Sequence, residues 1–196
     1  SAGCTWWTGL FGVGLVTSGK GANNAVSGRV EALMERNTNV CLTGQVPTNL
    51  IGNDAFQEED TTGITRTATK HNDMVKRRDD LARVVHEAFY VARSGRPGPV
   101  LVDITKDAQQ GSCEVDWEAA EPHLFEAEDE ALPGDGDVRD AMELINSAER
   151  PLILAGHGVM LSNAERQILE LAERGQIPIA VTLLGIGGVA APHPLN

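Results

Sequence analysis

The 196-residue chain has no apolar run approaching the ~20 residues that a membrane-spanning helix needs. Cysteine is scarce, with Cys4, Cys41 and Cys113 only. An odd count without metal-ligand spacing argues against a disulfide framework or a structural zinc site, and a reducing compartment is the simpler assumption. Basic residues are scarce in one place. Between Asp107 and Glu143 there are 13 acids and a single base, Arg139, and this stretch carries the whole net charge of −12. Such a balance excludes nucleic acid and anionic membranes as expected partners, and the acidic stretch reads as a solvated linker. No basic, apolar, small-residue signal pattern stands at Ser1, which is not a Met, so a targeting segment cannot be read from this sequence.

The composition is that of a folded protein, 41% hydrophobic and 22% charged. The length suits one large domain or one and a half ordinary ones. Phe11–Thr17 reads as a strand ending in a Ser18-Gly19 turn, Ala22–Arg36 as a helix, and Asn39–Thr43 as a second buried strand. Asp79–Ser94 is the clearest helix. Leu81, Val84, Val85, Ala88, Phe89 and Ala92 share one face, and Gly95 and Pro97 follow. Pro99–Ile104 has the near-continuous apolar character of a buried parallel strand. Beyond the acidic stretch come a helix at Val138–Ala148, a strand at Pro151–Ala155, a Gly156-His157-Gly158 turn, a helix at Asn163–Arg174 and a strand at Pro178–Thr182. Strands alternating with helices predict an α/β protein with parallel sheets.

The run from Thr43 to Asn72 is the most informative. It is too rich in Gly, Pro, Thr and Asn to be one helix or strand, and long loops of this kind usually carry function. A short helical turn is expected at Asp54–Glu59, with Asp54 as its cap. Gln57 can donate and accept hydrogen bonds at once. Lys70 could attract a carboxylate. Lys106 follows a strand end, where ligands of parallel sheets gather. Ser18-Gly19-Lys20-Gly21-Ala22-Asn23-Asn24 is a glycine-rich turn between strand and helix, an ordinary connection or a cradle for an anion. It lacks the GK[ST] ending of a P-loop.

TGQVPT (43–48), IGNDAFQE (51–58), ITR (64–66) and TKHN (69–72) stand in order and together resemble the catalytic subunit of the thiamine-diphosphate-dependent acetolactate (acetohydroxyacid) synthases. The likeness covers nearly the whole chain. It implies a thiamine-diphosphate-binding fold for 1–106, a pyrimidine-binding domain truncated at its start. It further implies an acidic linker at 107–134 and the beginning of a Rossmann-like, FAD-binding-type central domain at 135–196. The activity implied is condensation of two 2-oxo acids, pyruvate with pyruvate or 2-oxobutyrate, with loss of CO2, in branched-chain amino acid biosynthesis. By the same resemblance Phe56, Gln57 and Lys70 take catalytic places, and Pro47, Ala55 and Lys106 line the substrate channel. Gly19, Gly21 and Asn24 approach the pyrimidine half of thiamine diphosphate. Arg96, Gly156, His157, Gly158, Thr182, Leu183 and Leu184 approach FAD. Ligands of Mg2+, and a glutamate that activates the cofactor, would lie outside this chain, so the piece alone is expected to be inactive. Implied partners are a second copy, as homodimer or homotetramer with the active site at the subunit interface, and a small regulatory subunit. The implied location is cytoplasmic, or an organelle in a eukaryote. Departures from the family pattern are Lys20 for proline, Asn23 for threonine, Thr105 for proline, His157 for glycine, and the polar stretch Arg36–Asn39. Another carboligase or decarboxylase of the class, of glyoxylate carboligase or pyruvate oxidase type, and a non-catalytic nucleotide-binding paralogue are the alternatives.

Overall fold

The structure, a computed structural model, describes residues 11–115 and 133–196. Ser1–Thr8 and most of the expected linker lie outside the described residues. The chain divides into two compact units at residue 130.

The first unit is built on four parallel strands, β1 (Gly12–Val16), β2 (Asn39–Gln45), β3 (His71–Val75) and β4 (Pro99–Thr105), in the order β1-β2-β4-β3. The register sets Val40 beside Val100 and Thr43 beside Asp103. Because side chains alternate across a strand, the two faces of the sheet differ in character. One face carries Val40, Val75, Val100, Val102 and Ile104. It packs against Val84, Ala88 and Ala92 of α4 (Leu81–Arg93), the helix whose apolar stripe is legible in the sequence. The other face is mixed, with Cys41 and Leu101 buried beside polar residues. Thr43, Gln45, Asp103 and Thr105 are buried there, as are Thr61 and Thr65 of the short helix α3 (Thr61–Thr65). Asn72 of β3 joins them, donating from Nδ2 to the Thr62 carbonyl at 2.7 Å. A buried polar group is tolerated only when paired, which ties this face to specific side-chain geometry.

Several expectations are corrected. The helix expected over Ala22–Arg36 is two, α1 (Lys20–Asn24) and α2 (Val26–Glu35), with Ala25 between them. Arg36 takes the left-handed conformation (φ 61°) that ends α2. Of the polar stretch that follows, Asn37 finds partners, donating to the Ala32 carbonyl at 2.8 Å and to Glu35 at 2.9 Å. Asn39 Oδ1 is buried without one. No helix forms at Asp54–Glu59, because Asp54 (φ 52°) and Gln57 (φ 62°) both occupy left-handed backbone. The capping carboxylate is Asp60 instead, which accepts from the Gly63 N–H at 2.9 Å and starts α3. The strand β3 has a polar sequence and shows no apolar alternation. As an edge strand it takes its conformation from pairing with β4. Asp107–Gln110, expected at the start of the linker, belong to helix α5 (Lys106–Gln110).

The second unit pairs two parallel strands, β5 (Ile153–Ala155) and β6 (Ile179–Val181). Around them lie α6 (Asp135–Ser147), α7 (His157–Leu161) and α8 (Glu165–Gly175). Its core is small: Ala155, Ala172, Ile179 and Val189, with Ile153, Val159 and Leu169 against it. Leu154, in mid-strand, stays 69% exposed, and no residue of α6 is buried. The expected turn at Gly156-His157-Gly158 is the start of α7.

Candidate functional site

The carboxyl edge of the first sheet collects the ends of β1, β2 and β4. Strand β1 is followed by the turn Thr17-Ser18-Gly19, and α1 begins at once. Gly19 has φ 61°, and a Cβ there would lie 3.0 Å from the Gln57 carbonyl oxygen. Only glycine combines that backbone with so close an approach. Across the gap, Ser18 Oγ donates to Gln57 Oε1 at 3.4 Å. The turn after β1 and the loop after β2 therefore meet, although Ser18 and Gln57 are 39 residues apart. The Gln57 amide NH2 has no hydrogen-bond partner among the described residues, and Phe56 beside it is 89% exposed.

The loop between β2 and α3 is held by acids. Thr48 donates from its backbone N–H and its hydroxyl to Asp107 Oδ1, at 2.9 and 3.1 Å. This brings Pro47, which precedes Thr48, next to the end of β4, where Lys106 stands exposed. The Thr48 backbone N–H is the first cause of the lowered pKa of Asp107. Glu58 accepts from the N–H groups of Gly52 and Ala55, the latter at 2.8 Å, and these bonds hold its carboxyl below the usual range. At the floor of the site lies Asp103, fully buried, accepting from Thr43 Oγ1 at 2.6 Å and from Gln45 Nε2 at 2.9 Å. Burial raises its pKa, and the two hydrogen bonds oppose that rise.

The structure thus brings together Gly19, Gln57, Phe56, Ala55, Pro47 and Lys106 on one edge. Gly21 lies in the first turn of α1, and Asn24 is exposed at that helix's end. Lys20 is exposed at its start, so the charge that departs from the family pattern sits in solvent. Lys70 is elsewhere. It precedes β3 at the opposite, amino edge, its backbone N–H donating to the Pro99 carbonyl at 2.7 Å. Its ammonium donates to the carbonyls of Val91 and Ser94, where α4 ends. Orphan carbonyls and the negative end of the helix dipole account for that choice. Burial lowers its pKa. Arg96 is exposed on the loop between α4 and β4, also at the amino edge.

In the second unit Gly156-His157-Gly158 and Thr182-Leu183-Leu184 meet at the carboxyl ends of β5 and β6. Thr182 N–H donates to the Ala155 carbonyl at 2.9 Å. A Cβ on Gly185 would fall 2.5 Å from that same oxygen, so the turn after β6 requires glycine there. A Cβ on Gly158 would meet nothing within 4 Å, leaving open space beside the start of α7. His157 Nδ1 is buried without a hydrogen-bond partner. A polar atom so placed costs about 1–3 kcal/mol unless something bonds to it.

Ser18, Thr48, Asp107, Gln45 and Asp103 were not anticipated as site residues. Two signals existed: a single acid inside the apolar strand PVLVDIT, and a glutamine as the last residue of a buried strand.

Residues 138–196 match the thiamine pyrophosphate enzyme central-domain family. An acetolactate synthase of Mycobacterium bovis is 44% identical over 189 residues, 96% of this chain and 30% of that protein. The acetolactate synthase isozyme 1 large subunit of Escherichia coli is 42% identical over 184 residues, 93% of this chain and 32% of that protein. Acetolactate synthase 2, chloroplastic, of Nicotiana tabacum is 43% identical over 193 residues, 96% of this chain and 28% of that protein. The chain spans about 30% of the length of these curated relatives. A parallel α/β fold, the central-domain match and this likeness place the chain among the thiamine pyrophosphate enzymes. Within that family it is a stretch of the acetolactate synthase large-subunit kind.

Proposed function

We propose that this chain forms part of an acetolactate synthase. In the reading we favour, 1–106 belong to the domain that receives the pyrimidine half of thiamine diphosphate, 107–134 link it onward, and 135–196 begin a central FAD-binding domain. The reaction is the joining of two 2-oxo acids, pyruvate with pyruvate or 2-oxobutyrate, with loss of CO2. The observation that carries the reading is the packing of Gln57 on the Ser18-Gly19 turn at the carboxyl end of a parallel sheet, where α/β proteins bind ligands.

Thiamine diphosphate supplies the capacity to hold the electron pair released when a 2-oxo acid loses CO2. The chain's own residues prepare the place. The Gln57 amide NH2 is free to donate to an oxygen of the bound 2-oxo acid. Phe56, uncovered within this chain, contributes an apolar wall that excludes water once a ligand or a second polypeptide covers it. Lys106, exposed beside Pro47, draws carboxylates to the edge. Mg2+ and the activating glutamate would come from residues outside this chain. For FAD, the open space at Gly158 offers a backbone approach. A second copy facing Phe56 and a small regulatory subunit complete the proposal. No helix among the described residues is long and apolar enough to cross a membrane; a cytoplasmic or organellar setting belongs to the same proposal.

The complete polypeptide carrying this chain, assayed for acetolactate from pyruvate with and without thiamine diphosphate, tests the reading. Cofactor-dependent product that falls at least about tenfold in Gln57→Ala is expected. No product from the cofactor-loaded polypeptide would refute it.

A further inference from the structure

Asp103 is a carboxylate in the middle of a sheet, with 0% of its surface exposed. Burying such a group is unfavourable unless it is well bonded, and an apolar residue would fill β4 without that cost. Its bonds lead to one place. Oδ1 accepts from Thr43 Oγ1 and Oδ2 from Gln45 Nε2. The same Gln45 Nε2 also donates to the Glu59 carbonyl at 2.7 Å, and Gln45 Oε1 accepts from the Val46 N–H at 2.9 Å. Val46 opens the loop that carries Phe56 and Gln57, and Glu59 closes it. One side-chain amide therefore ties the two ends of the loop together, and one buried carboxylate orients that amide. Loops with such closed ends behave as compact units. Their rigidity depends on a few internal bonds.

We propose that Asp103 is a positioning residue: through Gln45 it clamps the ends of loop 46–59 and so fixes where Phe56 and Gln57 are presented. The value of the clamp rests on the site reading given above, but its existence needs neither cofactor nor substrate. Glu58 and Asp107 brace the loop interior and its start, while the Asp103–Gln45 pair spans both ends.

Amide hydrogen exchange on this 196-residue chain tests the clamp directly. Three variants are compared with the parent chain: Asp103→Leu, Asp103→Asn and Gln45→Leu. An asparagine can accept from Gln45 through Oδ1 and donate through Nδ2 to the Thr43 hydroxyl oxygen, so Asp103→Asn keeps the clamp. Exchange at amides of 50–58 is expected to quicken about tenfold or more in Asp103→Leu and Gln45→Leu. It stays within about twofold in Asp103→Asn, and amides of β4 and α4 stay within about twofold in all three. Unchanged loop exchange in Gln45→Leu, with β4 protection intact, overturns the proposal. So does an Asp103→Asn loop as open as that of Asp103→Leu. Should Asp103→Leu lose β4 protection and unfold, Gln45→Leu, at the end of β2, decides alone. A positive result here with no acetolactate from the complete polypeptide would refute the reaction and leave the clamp standing.

Discussion

Gly19→Ala isolates the contact on which the site is built. Two costs add. Alanine at φ 61°, ψ −116°, a backbone region that side chains other than glycine's scarcely visit, loses about 1–3 kcal/mol relative to glycine. The new Cβ would also stand 3.0 Å from the Gln57 carbonyl oxygen and 3.2 Å from the Gln57 Cβ. The first of these neighbours is backbone, so the loop itself must shift. A total near 2 kcal/mol is expected, roughly a 30-fold shift in the unfolding equilibrium of the first unit. Gly28→Ala is the matched control. Gly28 lies inside α2, and a Cβ there would meet nothing within 4 Å. That change removes a flexible glycine from a helix and is expected to stabilise by about 0.5–1 kcal/mol. Urea unfolding followed by circular dichroism compares the pair. A Gly19→Ala chain as stable as its parent, with the Ser18–Gln57 contact unaltered by nuclear magnetic resonance, would refute the close approach.

Lys70→Met removes the ammonium that bonds the Val91 and Ser94 carbonyls, and should lower stability by about 1 kcal/mol while leaving pyruvate affinity in the complete polypeptide unchanged; a large rise in KM with no loss of stability would contradict the placement. Burial raises the thiol pKa of Cys41, whereas Cys113 is exposed, so iodoacetamide near pH 8 should alkylate Cys113 quickly and Cys41 only on unfolding, as mass spectrometry of peptides will read. The carboxyls of Glu58 and Asp107 titrate below their ordinary values of 4.5 and 3.8, so the stability they lend the loop is present above those values and is lost as pH falls through the lower folded pKa values. Proteolysis within 48–58 should therefore rise in acid below about pH 4, and a loop equally resistant at pH 3 and pH 6 would contradict the bracing.

What the sequence disclosed divides along physical lines. The apolar stripe of α4 and the runs of β2 and β4 were legible because burial against a sheet demands hydrophobic periodicity. The polar strand β3 was not, since its conformation comes from pairing and not from its own residues. The loop carrying Phe56 and Gln57 was recognisable as functional, yet its shape was misjudged. Left-handed Asp54 and Gln57 lie in a loop where Gly52 bonds Glu58 and Gln57 packs on Gly19, and no local pattern reveals those contacts. Lys70 sits apart from that loop. A lysine amid polar signature residues reads as a ligand group, but the unsatisfied carbonyls at the end of α4 were closer and cannot go unpaired. Asp103 escaped notice because a strand pattern registers how apolar a segment is, and says little about the one residue that breaks it.

The central claim is that the carboxyl edge holding Gln57, and not the opposite edge holding Lys70, faces the thiamine cofactor. In the complete polypeptide, with Cys4 and Cys113 changed to serine, a thiol reagent can compare Gln57→Cys with His71→Cys, an exposed position at the amino end of β3. Thiamine diphosphate with a 2-oxo acid should slow modification at position 57 at least about tenfold and leave position 71 unchanged. Protection at position 71 with none at position 57 would contradict the account.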